Sequence, residues 1–259
     1  MTDKEEKYLK ELALNTALLA GKLLMRNGSE TTRVEDTMNR IIQKSLEGSS
    51  ETEFDTYVLL NSVFVRIGKS KTGFYQVNKR RNNLGVVADV NQLSRDYAEE
   101  KISLESLQKT LKEMDTLTPV GVNLKYLLAT VFISGSAVFL FAPGATAIDI
   151  FPAVVAGITA YTVYYLTSKY LDVPFMEEFL ATLFGGFLGY IACRITRTSF
   201  SVMTIGAVIP LVPGIAITNA ARDIMARHYL TGIIRFVESL CVAAALGGGI
   251  ALVSFIVGG

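Results

Sequence analysis

Ile205-Gly206-Ala207-Val208-Ile209-Pro210-Leu211-Val212-Pro213-Gly214-Ile215-Ala216-Ile217-Thr218-Asn219-Ala220-Ala221-Arg222-Asp223 decides how the rest of this chain is read. Two prolines and a glycine interrupt an otherwise apolar run. Each proline removes a backbone donor and obstructs the preceding turn, so carbonyls are freed that lipid cannot satisfy. The stretch therefore predicts a broken helix, set in a protein interior or beside a water-filled cavity. Charged residues directly behind such a break mark a place where a membrane protein binds or moves a polar solute.

Working outward, the charge distribution divides the chain. Residues 1–120 carry 18 Lys/Arg and 18 Asp/Glu, and the remaining 139 carry 7 and 6. This boundary predicts a polytopic α-helical membrane protein with an N-terminal α+β cytoplasmic domain, divided as 1–118 and 119–259. The near-zero net charge argues against nucleic acid as a partner, because phosphate binding needs clustered basic excess. Met1 to Lys10 is charged and lacks an apolar core, so no cleavable signal peptide is expected. Cys193 and Cys241 lie far apart in apolar segments and are read as small buried side chains, with no metal-ligand spacing and no cofactor motif.

In the N-terminal part, Leu12, Ala13, Thr16, Ala17, Ala20, Leu23 and Leu24 recur at helical spacing, and Asn27-Gly28 supplies a C-terminal cap. Thr32-Arg33-Val34-Glu35 has capping-box form ahead of Val34, Met38, Ile41 and Ile42, which predicts a second helix packed as a hairpin on the first. Between Glu51 and Val77 the texture is β-like: Val63, Val65 and Ile67 alternate, Gly68 to Gly73 form a turn, and Phe74 to Val77 return. Arg66, Lys69, Lys71, Lys79, Arg80 and Arg81 make this stretch basic, either as solvated strand edges or as a contact for anionic headgroups. Helices near Val87 to Tyr97 and, capped by Ser103, Leu104 to Met114 precede a linker at Thr118-Pro119.

Five candidate spans of about 20 apolar residues follow: Val122 to Phe141, Ile150 to Thr167, Phe175 to Ala192, Phe200 to Ile217 and Gly232 to Val257. Lys169 and Asp172 lie in the loop between the second and third. Lys125, Lys169, Arg222, Arg227 and Arg235 then fall on the cytoplasmic side, as the positive-inside rule requires. Arg194 and Arg197 do not. They imply either a re-entrant third segment or a substrate or pore role. An odd span count also means that a second such unit would insert inverted, so the chain is expected to need a partner half or a second copy.

Arg222 and Asp223 follow the break by two turns, and Arg235 and Glu238 are three apart where the fifth span begins. Arginine receives carboxylates through two parallel hydrogen bonds, and a desolvated Asp223 or Glu238 can carry a proton. The competing reading is four solvated interfacial charges. His228, the single histidine, is read as interfacial in preference to a proton relay. Gly185-Gly186, Gly189 and Gly247-Gly248-Gly249 suit close helix packing, and Tyr161, Tyr164, Tyr165 and Tyr170 suit an aromatic belt. Ser29, beside Glu30 and Arg33, is read as a helix cap. No catalytic constellation is present, so an enzyme is not expected.

Gly28-Ser29-Glu30-Thr31-Thr32-Arg33-Val34-Glu35 resembles the N-terminal G-x-E-T-x-R-V-E signature of the threonine/serine exporter (ThrE) family. Pro210 to Gly214 with Asn219, Arg222 and Asp223 is similar to its membrane signature, and Gly232, Arg235 and Glu238 fit the G-x-x-R-x-x-E pattern that follows. The resemblance implies a secondary exporter of small amino acids (threonine, serine) or small carboxylates such as succinate, in the inner membrane. It implies a substrate site of Asn219, Arg222, Asp223, Arg235 and Glu238 with Pro213 and Gly214, and a soluble-domain motif of Gly28, Glu30, Thr31, Arg33 and Glu35. With about five spans the chain resembles the larger, YjjP-like subunit of the split form, which works with a smaller membrane subunit. The alternative is a membrane-anchored regulatory protein whose soluble domain binds a metabolite.

Overall fold

The computed structural model describes residues 3–49, 53–68, 71–77, 80, 82–116, 124–171 and 173–258. Lys69, Lys79, Arg81, the Thr118-Pro119 linker, the start of the first span at Val122 and Asp172 lie outside them. The described chain is mostly helical with one small sheet. It falls into two compact units, Met1–Thr118 with Ile215–Phe236, and Pro119–Gly214 with Val237–Gly259. Residues just behind the proline break thus cluster with the N-terminal segment.

In the first unit, α1 (Asp3–Arg26) and α2 (Thr31–Ser45) form the expected hairpin. Gly28 ends α1 at φ 88°, and the Ser29 and Gly28 amides donate to the Leu24 and Met25 carbonyls. This is the Schellman arrangement, which needs the left-handed conformation that glycine adopts without steric cost. β1 (Phe54–Leu59), β2 (Ser62–Ile67) and β3 (Lys71–Gln76) form an antiparallel meander. Gly73, expected in the turn, instead lies within β3 opposite Val65. A Cβ there would come 2.6 Å from Leu18 Cδ1 and 2.8 Å from Leu14 Cδ2, so α1 rests directly on the strand backbone.

α3 (Leu84–Ala98) and α4 (Leu104–Thr116) complete the layer, and Ser103 Oγ accepts from the Ser106 amide as a cap should. The core is made of large side chains, among them Leu23, Leu24, Met38, Ile41, Ile42, Leu107 and Leu111. Two of the basic residues are spoken for: Arg66 pairs with Asp55 across the sheet, and Lys71 with Glu11.

The second unit is packed by the opposite rule. α5 (Leu124–Phe141), α6 (Ile150–Tyr170), α7 (Met176–Thr196), α8 (Phe200–Val208) and the later turns of α10 (Tyr229–Gly258) leave Phe132, Leu140, Ile195 and Phe255 exposed. Ala156, Ala160, Ala181, Cys193 and Ala207 are buried. Lipid offers no hydrophobic gain from burying large side chains, so the interior is chosen for close approach. A Cβ at Gly206 would collide with the Ala153 carbonyl, and one at Gly189 would lie 2.7 Å from Ala156 Cβ. Ser134 Oγ donates to the Gly206 carbonyl at 3.0 Å, and Thr182 Oγ1 to the Leu246 carbonyl at 3.0 Å. The small-residue strings at 185–189 and Gly249 do serve packing. Gly247 faces open space.

Among the described residues three helices are long and apolar enough to cross a membrane: Ala147–Tyr170, Met176–Thr196 and Tyr229–Gly258. A fourth is reached if the bent pair Phe200–Leu211 and Gly214–Met225 counts as one span, and Lys125–Phe141 is a shorter apolar helix. The expected fourth span is therefore not continuous: a 3-10 turn at Ile209–Leu211 ends it, and α9 (Gly214–Met225) begins afresh. With 30 residues, α10 is about 45 Å long at 1.5 Å per residue, more than a ~30 Å hydrocarbon core requires.

Gly206→Ala is expected to lower the thermal stability of the detergent-solubilised protein by about 1–3 kcal/mol, the cost of overpacking. Gly247→Ala, with nothing to strike, should leave it unchanged or slightly raised. Unfolding followed by intrinsic tyrosine fluorescence compares the two.

Candidate functional site

α9 carries Asn219, Arg222 and Asp223 at i, i+3 and i+4, so all three lie on one face. In the first unit that face meets the turn between α1 and α2. Asn219 Nδ2 donates to the Gly28 carbonyl at 2.9 Å, and Arg235 Nη2 to the Ser29 carbonyl at 2.8 Å. Arg222 Nη1 lies 3.1 Å from Glu30 Oε2, while Arg33 holds the other oxygen of that carboxylate. Asp223 Oδ1 accepts the Thr31 amide at 2.9 Å. The two motifs, nearly 200 residues apart, thus form one cluster.

The centre of this cluster corrects the local reading of α2. Its N-cap is Glu30, which makes no side-chain cap bond, and neither Ser29 nor Thr32 fills that role. The cap is Asp223, whose carboxylate sits at the positive end of α2 and takes one of the helix's orphan amides. Glu35, expected to fold back in a capping box, lies 3.4 Å from His228 Nε2 instead.

Asp223 and Arg235 are nearly fully buried, with Asp223 Oδ2 and Arg235 Nε 3.2 Å apart. They meet as charges without the alignment of a hydrogen bond. Thr31 Oγ1 is buried beside them with no hydrogen-bond partner among the described residues. Gly232 explains how α10 reaches this place, since a Cβ there would lie 3.0 Å from the Ala220 carbonyl and from the Ile224 amide of α9. The α9–α10 turn closes with Arg227 at φ 70° and the His228 amide on the Asp223 carbonyl at 2.8 Å.

Burial holds the Glu35 carboxyl above its ordinary value of 4.5; His228 opposes that shift, and Asp36 and Asp223 reinforce it. Arg222, by contrast, has 59% of its side chain exposed and, with Arg33 at 51%, is an accessible cation of the cluster. Pro213 lies just before α9 and Gly214 is its first residue, where a Cβ would meet nothing within 4 Å. Glu238 lies one turn past Arg235, half-buried, in the second unit. Cys193 and Cys241 are free thiols, and among the described residues no three His, Cys, Asp or Glu side chains are grouped to hold a metal.

Residues 15–257 match the family model described as "Putative threonine/serine exporter". The chain belongs to this exporter family. Neither the comparison with curated proteins nor that with solved structures returns a match. In this exporter chain the joining of the two motifs was not visible from either alone. The available signal was complementarity, since Glu30 and Glu35 precede apolar helix faces and Arg222, His228 and Arg235 follow the break.

Removing one member of the buried pair strands the other charge. Asp223→Ala is expected to cost about 3–5 kcal/mol, and Asp223→Ala with Arg235→Leu together less than the sum of the single changes. A double-mutant cycle on thermal unfolding measures this coupling. Because the Glu35 pKa is raised on folding, its contribution favours the folded state below about pH 4.5 and is lost as pH rises through the elevated value. Glu35→Gln should flatten that part of the stability profile between pH 4 and 7, relative to the parent protein.

Proposed function

We propose that this membrane protein is one subunit of a proton-coupled exporter of small amino acids or small carboxylates, working with a smaller membrane subunit or a second copy of itself. Family membership over nearly the whole chain supports the export of threonine or serine, and the joined motif cluster carries the assignment of roles. Arg222 is exposed and can exchange Glu30 for a substrate carboxylate, keeping a charge-assisted pair throughout. Asp223 and Arg235 are buried and position the α2 terminus instead of contacting solute. Asn219 holds the same turn through the Gly28 carbonyl. Glu30 and Arg33 are the groups a substrate displaces or joins. Glu238, in the helix that leaves this cluster, is the carboxylate proposed to respond to protons.

On this reading the N-terminal segment faces the cytoplasm, in the inner membrane, and presents substrate to the pathway. The alternative, a regulatory protein whose first unit senses a metabolite, uses the same Glu30–Arg222 pair but predicts ligand binding without flux. Efflux of threonine, serine and succinate from preloaded cells separates the two. Arg222→Ala is expected to reduce efflux by about tenfold or more, the loss of one charge-assisted contact, while leaving thermal stability unchanged because the pair is solvent-exposed. Parent-like efflux from that variant removes Arg222 from the site, and efflux insensitive to an imposed pH gradient removes the coupling to protons.

A further inference from the structure

The second unit contains a polar cavity of about 400 Å³ that the cluster around Asp223 does not use. Its size is within the ~300–1,000 Å³ range of small-molecule sites. It lies where the loop from α5 to α6 meets the turn from α7 to α8. α5 and α7 run toward this end and α6 and α8 run away from it, so it is the end of the bundle opposite Leu124 and Leu211.

Its lining combines one acid, one arginine and a group of hydroxyls. Among the described residues Asp149 uses Oδ2 alone, taking the Thr146 amide at 2.7 Å and the Thr146 hydroxyl at 2.9 Å. Its Oδ1 receives no donor among the described residues. The Arg197 guanidinium is exposed and makes neither an ion pair nor a hydrogen bond among the described residues. Thr196 and Thr198 share a hydroxyl bond at 2.9 Å, and Ser199 and Ser201 share one at 2.8 Å. Ser199 is also the N-cap of α8 but provides no side-chain cap, so the positive end of that helix opens into the same space.

The backbone gives an independent reason to look at Arg197. It ends α7 at φ 57°, ψ 34°, the left-handed region. Glycine or asparagine occupies such a position without penalty, whereas another L-residue costs roughly 1–2 kcal/mol. A side chain kept there against that cost, pointing to no protein partner, is suited to a ligand.

We infer that this cavity binds a zwitterionic amino acid, with its carboxylate on Arg197 and the α8 terminus, its ammonium on Asp149, and a side-chain hydroxyl among the Thr and Ser hydroxyls. One cation and one anion balance a zwitterion. A dicarboxylate would bring a second negative charge toward Asp149 with no second cation to meet it. The inference rests on the exporter reading and narrows its substrate class. It also gives Arg197, which the positive-inside rule leaves on the wrong side, a role in binding instead of topology.

The test uses the full chain in lipid nanodiscs, with Ser201→Cys in a Cys193→Ala, Cys241→Ala background, and follows the rate of maleimide labelling. Saturating L-threonine should slow labelling by about tenfold, and succinate should not. Arg197→Gly relieves the left-handed residue, so it should keep or raise thermal stability while raising the half-protecting threonine concentration by about tenfold or more. Asp149→Asn should lose protection as well, and Arg197→Lys should retain part of it. No slowing by threonine, equal slowing by succinate, or full protection in Arg197→Gly would overturn the site. Threonine efflux from preloaded cells is read separately. Efflux without protection overturns the cavity and leaves the exporter reading intact, whereas protection without efflux supports the cavity and overturns the exporter reading.

Discussion

One carboxylate at the first turn of one helix ties the C-terminal segment of the first unit to its N-terminal segment. Asp223 reaches α2 from 192 residues downstream, satisfies the Thr31 amide and meets Arg235 in a buried ion pair. Arg235 in turn fixes the Ser29 carbonyl and Asn219 the Gly28 carbonyl. The turn between α1 and α2 therefore closes its own Gly28 and Ser29 amides onto α1, while its Gly28 and Ser29 carbonyls and the Thr31 amide are satisfied by side chains from α9 and α10. A buried pair of this kind contributes less to net stability than to uniqueness of arrangement, because desolvation offsets most of the attraction. Its effect is to require α9 and α10 to sit in one register against α2.

The two units illustrate two ways of filling an interior. In the first, Leu23, Leu24, Ile41 and Leu111 fill volume, and stability follows apolar area removed from water. In the second, Gly206 meets Ala153 and Gly185 meets Ala160, and the gain is dispersion contact between backbones brought close. Two of the polar groups inside, Ser134 and Thr182, bond to carbonyls on neighbouring helices. α10 takes part in both arrangements along its length.

What the sequence made legible was whatever depends on neighbours in the chain. The hairpin of α1 and α2, the Gly28 cap, the Ser103 cap and the break after Pro210 each follow from residues within one or two turns. The capping-box pattern at Thr32 to Glu35 misled because it is also local, while the real cap comes from Asp223. Gly73 misled for a similar reason: glycine in a polar stretch reads as a turn, but its need arises from Leu14 and Leu18 of a distant helix. Arg197 reads as a topology exception, and Asp149 stands between the first two candidate spans. Only the meeting of two loops gives them a common cavity. The apolar count also overran the helices, because Phe200 to Ile217 carries no charge across a turn that Pro210 and Pro213 do not allow to continue.

The first unit is discontinuous in sequence, and this imposes an order on biogenesis. α2 leaves the ribosome with its first turn uncapped, and Asp223 follows only after α5 to α8 have been synthesised and delivered to the bilayer. At about 5–20 residues per second that interval is on the order of 10–40 seconds. During it the N-terminal fold lacks the residues that close it. Completion of the first unit thus waits on synthesis of the residues between α4 and α9.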